Sequence, residues 1–443
     1  MRARSRTSGL LRDVKDGACG AGSYARMPNP TIDHRALYRL PWSLPDNPIA
    51  WLEPTQQCNL SCDGCYRENV KSHRTLDEVH EDLQTFASLR NFDGVSIAGG
   101  DPLLHPRCVD IVRRVTKMGR KAIVNTNGKA LTREMLVDLK RAGLVGITFH
   151  VDSRQGRPGW RDKTEKEMNV LRQEYADLVD SVGGLSCAFN STVYEETLHE
   201  VPDVLAWAGR NMGKVHTVVF ILFRAAKLEG FDYYPAGKKI EMQNIVYTET
   251  DRPERRTDIE AREVVRIIRE REPDFEPCAY LNGTEKPESL KWLAALRVGT
   301  SEKIHGYLGP KFMEATQAGY HLMADRYLSY APSWTLGTGR AVMSTALFDS
   351  GVRRASKNWL RSIARKPAHL LERQHLQTAL IIQPIDVLED GRANMCDGCP
   401  DMTVHDGRLV WSCRLEEQRT FGNWVQAVPQ KKSPQVALPV VRS

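Results

Sequence analysis

The stretch Ile49-Ala-Trp-Leu-Glu53-Pro-Thr-Gln-Gln-Cys58-Asn-Leu-Ser-Cys62-Asp-Gly-Cys65-Tyr66 joins a short apolar run to three cysteines spaced C-x3-C-x2-C. Ile49–Glu53 reads as a β-strand and the cysteines as the loop leaving it. Further strands are predicted at Gly94–Gly99, Lys121–Asn127, Gly146–Asp152, Leu185–Val193 and Thr217–Arg224. Helical patterns lie between them. In Glu165–Val182, residues Met168, Leu171, Tyr175, Leu178, Val179 and Val182 share one helical face. Thr132–Ala142 and Val201–Met212 read similarly, with Thr75 and Thr132 at N-cap positions. Strands alternating with helices imply a parallel sheet with right-handed crossovers, either doubly wound or curved into a partial barrel. In both cases ligands belong at the carboxyl ends of the strands. Polar residues collect at those ends: Gly99-Gly100-Asp101, Asn125-Thr126-Asn127-Gly128, His150 with Asp152, Asn190 with Thr192, and Arg224.

The chain has 443 residues, of which 41% are hydrophobic, enough to bury a large α/β domain and a further one. The longest apolar runs, such as Val218–Phe223, are far too short to span a bilayer. Residues 1–26 lack the apolar core of a secretory signal, so a cytoplasmic protein is expected. They hold six Lys/Arg against two Asp/Glu, more than half of the net charge of +7. We read them as a disordered basic extension or a misassigned start before Met27. With so little basic excess elsewhere, no nucleic-acid partner is expected.

Six of the ten cysteines fall in two tight clusters, Cys58/62/65 and Cys396/399/413. Without an export signal, such clusters read as metal ligands. Three thiolates at C-x3-C-x2-C can hold three corners of a cubane and leave one iron open for a substrate. The competing reading is a zinc knot, which normally needs a fourth protein ligand in paired C-x2-C spacing; none lies nearby.

In this position after the first strand, C-x3-C-x2-C resembles the signature of the radical S-adenosylmethionine (SAM) superfamily. The resemblance covers roughly residues 48–224 and implies a partial (β/α)6 TIM-like barrel. It also implies a [4Fe-4S] cluster on Cys58, Cys62 and Cys65, with SAM on the open iron. A flavodoxin- or ferredoxin-type reductant would supply the electron that cleaves SAM to a 5′-deoxyadenosyl radical. Ala98-Gly99-Gly100-Asp101-Pro102 resembles the family's Gly-Gly-Glu-Pro segment, whose backbone holds the SAM amino group. Glycine permits that close approach. Asn125 and Asn127 fall in the likeness of the third strand end, and His150, Asp152 and Asn190 at later ends imply contacts to SAM. For His150, a packed or capping histidine is the competing reading. Members often carry an adenine-contacting aromatic before the third cysteine; here that position is Gly64, and Tyr66 follows as the candidate in its place.

Cys396-Asp-Gly-Cys399-Pro400 and Cys413 flank two short predicted strands, Met402–His405 and Leu409–Ser412, turning at Asp406-Gly407. This resembles in part the SPASM and twitch domains that carry auxiliary iron–sulfur clusters. Cys278, His405 or an oxygen donor are candidates for a fourth ligand, or the site stays open for substrate; a zinc-stabilised hairpin competes. Residues 230–257 read as loop, 258–271 and 287–297 as helices. Residues 351–366 carry six basic and no acidic residues, with Val352, Ala355, Trp359 and Ile363 on one stripe. That pattern fits a helix packed by its stripe, or one lying on an anionic membrane surface.

The expected organisation is an extension (1–26), a lead-in (27–48), the barrel (49–229), an α-rich insert (230–395), an auxiliary cluster region (396–425) and a flexible tail (426–443). Cys58 to Cys65 together with Gly99–Pro106 resemble the radical SAM enzymes of hopanoid lipid biosynthesis, which favours a lipid, isoprenoid or small natural-product substrate. The auxiliary cysteines favour a peptide. A non-catalytic iron–sulfur or zinc protein is the remaining class.

Overall fold

The computed structural model describes residues 32–226, 229–241 and 255–430. A short strand β1 (Tyr38–Arg39) precedes six strands: β2 (Ile49–Leu52), β3 (Gly94–Ile97), β4 (Lys121–Thr126), β5 (Leu144–His150), β6 (Ser186–Val193) and β7 (Thr217–Leu222). These six pair in chain order, and every pairing is parallel. Helices α1 (Leu76–Leu89), α2 (Cys108–Lys117), α3 (Arg133–Arg141), α4 (Glu165–Val182) and α5 (Val201–Arg210) make the crossovers of a partial (β/α)6 barrel. Thr75 and Thr132 cap α1 and α3, their hydroxyls accepting from the N–H of Glu78 and Met135. One side of the strands (Val95, Ile97, Val124, Ile147, Phe149) packs with the inner stripes of the helices, among them Val79, Leu83, Met168 and Val179. Alternation turns Asn125, Thr148, His150 and Asn190 to the other side.

The sheet continues past β7. After β8 (Phe231–Pro235) come β9 (Ala279–Leu281), β10 (Trp292–Gly299), β11 (Ile304–Leu308) and β12 (His375–Ile382). β12 runs parallel to β7, β10 antiparallel to β12, and β9 and β11 share the far side of β10, with β1 beyond β9. Two hairpins follow, β13 (Asp386–Val387) with β14 (Ala393–Asn394) and β15 (Met402–His405) with β16 (Arg408–Trp411). Finally β17 (Val425–Pro429) pairs with β8. Helices α6 (Ala261–Arg271), α7 (Pro310–Ala324), α8 (Gly339–Met343), α9 (Ser350–Arg365) and α10 (Leu415–Phe421) complete the architecture. No helix among the described residues is long and apolar enough to cross a membrane.

Four expectations change. The helix predicted over 287–297 is strand β10 from Trp292 onward. Trp292-Leu-Ala-Ala-Leu296 is an unbroken apolar run, which a buried helix and a strand covered on both faces share. Residues 230–395 are therefore not simply an α-rich insert; they extend the sheet by four strands. The loop expected over 230–257 contains β8, and residues 426–429 of the expected tail pair with it. Residues 1–26, 242–254 and 431–443 lie outside the described residues.

Arg297 on β10 ties this extension to the barrel. Its buried guanidinium donates to the Leu205 carbonyl of α5 (2.8 Å) and, through Nε, to Gln377 of β12 (2.8 Å). Arg297→Met should leave those acceptors unsatisfied and cost about 3 kcal/mol. A lower midpoint in urea unfolding checks this; an unchanged midpoint contradicts it.

Candidate active site

The carboxyl ends of β2–β7 open into one cavity of about 280 Å³. Part of its wall is Cys58, Cys62, Cys65, Tyr66, Gly99, Gly100, Asn125, Asn127, His150 and Asn190. Another part is apolar: Ile221, Phe223, Tyr233, Ile385, Val387 and Val425. Burial pushes the thiols of Cys58 and Cys65 above their ordinary value and that of Cys62 well above it. They share the cavity without forming a finished ligand set. Among the described residues, no group of three or more His, Cys, Asp or Glu side chains has metal-holding geometry.

The cysteine loop is held from below by the end of β3. The N–H groups of Gly100 and Asp101 donate to the carbonyls of Thr55 and Gln57, both at 2.8 Å. Gly99 has φ +105°, and a Cβ on Gly100 would stand 2.3 Å from the Gln57 oxygen. Only glycine allows this approach. With these donors engaged, the face of the segment that can serve an ammonium group is its carbonyl oxygens. Asn127 adds a second anchor, its amide donating to Asn59 (2.8 Å) and toward the Cys58 sulfur (3.6 Å).

Asp101 does not line the cavity. Its buried carboxylate accepts from the Thr126 hydroxyl and from the N–H of Asn127 (2.9 Å) and Leu103 (3.0 Å). It positions the ends of β3 and β4 instead of touching a ligand there. Asp152 is likewise buried. Desolvation pushes its pKa up, but His150 (2.9 Å) and the N–H groups of Arg154 and Thr192 outweigh that and bring it below the ordinary value. His150 stands in the cavity wall, fixed between Asp152 and the Thr192 hydroxyl (3.0 Å), with Asn190 beside it in register. Asn125, also in the wall, has a buried side-chain nitrogen without a hydrogen-bond partner.

Gly64 has a physical reason. A Cβ there would lie 2.8 Å from the Tyr194 hydroxyl and 3.3 Å from the Phe223 ring. Tyr194 and Phe223 pack at 5.0 Å, with the Arg255 guanidinium against both rings. The space beside Gly64 is thus taken by aromatics following β6 and β7, of which Phe223 lines the cavity and Tyr194 is buried behind it. Neither was singled out from sequence: Phe223 closes an apolar run that reads as core, and Tyr194 lies far from Gly64 along the chain.

Sequence reading also missed Arg67 and Glu53. Buried Arg67 grips Glu53 with two donors (2.8 and 2.5 Å) and reaches Ser412 (2.8 Å), with Glu416 at 4.0 Å. This links the Cys65 loop to the Cys413 loop. Cys396 and Cys399 are buried and line a second cavity, whereas Cys413 lines the main one. Two candidate fourth ligands are misplaced. Cys278 precedes β9 while Cys396 bridges Gly283 beyond its other end, and His405 sits at the hairpin tip, away from Cys399 and Cys413. The Asp401 carboxyl, pushed up to about 7 by burial, lies near Cys399 and the Tyr66 phenol.

The packing at Gly64 predicts that Gly64→Ala destabilises the protein by about 1–3 kcal/mol. Calorimetry reads this as a lower Tm. A Tm equal to that of the unmodified chain would contradict the close contact.

Residues 52–208 match the model of the radical SAM superfamily. The AdoMet-dependent heme synthase of Methanosarcina barkeri is 30% identical over 186 residues, 39% of this chain and 50% of the relative. The antilisterial bacteriocin subtilosin biosynthesis protein AlbA of Bacillus subtilis is 29% identical over 177 residues, 37% of each. The chain therefore spans half or less of the length of these curated relatives. Streptococcus suis SuiB bound to S-adenosylmethionine superposes at TM-score 0.36 and 14% identity over 50% of this chain and 46% of that one, too distant to carry an argument. The matched segment runs from β2 through most of α5 and encloses the cysteine loop and the Gly99-Gly100 turn, so this part of the chain is similar to the radical SAM superfamily.

Proposed function

We propose that this protein is a catalyst that cleaves SAM reductively and modifies an apolar lipid, isoprenoid or natural-product intermediate. The observation that carries the reading is one cavity in which three thiols, a row of polar strand ends and an apolar wall meet. Cys58, Cys62 and Cys65 would hold a [4Fe-4S] cluster with one iron left for SAM. Bound together and reduced by a flavodoxin- or ferredoxin-type donor, the two supply one-electron cleavage of SAM and abstraction of a substrate hydrogen atom. The unpartnered Asn125 amide supports this fit, since it offers a buried donor to a ligand in the cavity.

The chain's own residues orient and seal. Gly99 and Gly100 present carbonyls where an ammonium can dock, His150 is held rigid by Asp152 and Thr192, and Asn190 completes that side. Ile221, Phe223, Ile385 and Val425 keep water from a reactive radical and suit an apolar substrate. Cys396, Cys399 and Cys413 would hold an auxiliary cluster, with a zinc-stabilised hairpin as the competing occupant. A second reading, a peptide substrate, is favoured by the similarity to AlbA, whose name places it in bacteriocin biosynthesis.

Anaerobic reconstitution with iron, sulfide, SAM and dithionite tests the proposal. The wild-type protein should form 5′-deoxyadenosine and methionine. The Cys58→Ala, Cys62→Ala, Cys65→Ala variant should form neither while keeping iron at the second cysteine set. Absence of both products from a loaded, reduced wild-type protein would sink the enzyme reading; loss of all iron from the variant would sink the auxiliary cluster.

A further inference from the structure

Helix α9 bears the basic segment 351–366. Its stripe of Val352 and Ala355 is buried against β11, where Gly306 packs on Ala355, and Trp359 joins the same cluster. The apolar face that the sequence offers to a membrane is therefore used inside the fold. The structure reveals a different surface. Arg353, Lys357, Leu360, Arg361 and Arg365 lie along the solvent side of α9, with Leu360 59% exposed among the cations.

The turn before the helix adds two large apolar side chains, Leu347 and Phe348, 84% and 77% exposed. Arg353 donates to the carbonyls of Ala346 (3.3 Å) and Leu347 (3.1 Å), which fixes this pair at the amino end of the basic stripe. At the other end Lys366 leads into Leu370 and Leu371, both exposed, and the Ser362 hydroxyl meets His369. Of the basic residues on the helix, Arg354 pairs with Glu276. No ion pair to Arg353, Lys357, Arg361, Arg365 or Lys366 occurs among the described residues.

We propose that this face of α9, with Leu347 and Phe348, docks the protein on an anionic lipid bilayer. This inference is independent of the chemistry proposed for the cavity. Cations that meet lipid phosphates, interleaved with aliphatic and aromatic side chains that enter the acyl boundary, are the composition of a peripheral membrane contact. A nucleic acid has no use for Leu347, Leu360 or Leu371 on its backbone. A second copy of the same face would set like charges against each other. The large exposed side chains also distinguish this face from an ordinary solvated helix.

The position in the fold keeps docking separate from the cavity. α9 packs on β11, which pairs with the Leu296–Gly299 half of β10. Gly299 lies opposite His375, the first residue of β12, and β12 runs parallel to β7. The contact is therefore at the amino end of the barrel strands, and the cavity at their carboxyl ends faces away from it.

Vesicle sedimentation with the full-length protein tests the proposal. Binding should be strong to phosphatidylglycerol-containing vesicles at about 0.1 M salt, weak at about 0.5 M, and absent with phosphatidylcholine alone. The Arg353→Gln, Lys357→Gln, Arg361→Gln variant should partition about a hundredfold more weakly. Leu347→Ser with Phe348→Ser should also lose most binding, with unchanged Tm. Phe348→Trp should shift its emission to the blue when vesicles are added. No phosphatidylglycerol-dependent binding by the unmodified protein would overturn the proposal. So would binding that needs the cations but ignores Leu347 and Phe348, which would mark adsorption by charge alone without the docked apolar pair.

Discussion

The approach of Gly99-Gly100 to the carbonyls of Thr55 and Gln57 is the constraint on which the site depends. It presses the end of β3 against the loop leaving β2, so the three cysteines are carried by backbone pairing and do not rely on side-chain packing alone. The same segment starts Asp101 toward Thr126 and Asn127, which fixes β4 relative to β3. Asn127 then returns to Asn59 and Cys58. The result is a closed circuit through two strand ends and one loop, each part placing the next. A side chain at Gly100 would break the circuit at its tightest point, because the opposing atoms are backbone and have nowhere to move.

A second circuit joins the two cysteine regions. Arg67 and Glu53 form a buried, two-donor pair, and Ser412 bonds to both. A buried pair is weak as a source of net stability, because desolvation of both ions opposes their attraction. Its geometric demand is strong, since either ion left alone would be costly. The pair therefore specifies where the Cys413 segment sits against the Cys65 segment. That is consistent with Cys413 facing the main cavity while Cys396 and Cys399 face the second one. β17 against β8 adds a wall to the same cavity from the end of the described chain.

Much of this was legible in sequence where the signals are local. The six barrel strands, α4 and the caps at Thr75 and Thr132 follow from periodicity and capping chemistry within a few residues. Cys58, Cys62 and Cys65 announce themselves by spacing. What escaped was non-local. Trp292–Leu296 is apolar throughout, and only its neighbours β9 and β12 make it a strand. The partners Pro235 and Val425 are joined by a pairing that no local pattern records. Asp101 reads as a ligand contact because of its place in a motif, but its side-chain direction follows from the start of the next turn, where it accepts from Leu103. Gly64 reads as a gap until Tyr194 and Phe223 are seen to fill it.

The central claim is that Cys58, Cys62 and Cys65 hold a cluster with one iron that the protein leaves open for SAM. Mössbauer spectroscopy of the anaerobically reconstituted protein, recorded before and after adding SAM, tests it most directly. The account predicts that SAM shifts a single iron site of a [4Fe-4S] cluster to higher coordination, and that Cys62→Ala abolishes the shift. A spectrum unchanged by SAM, with all irons of each cluster equivalent in sulfur ligation, would contradict it.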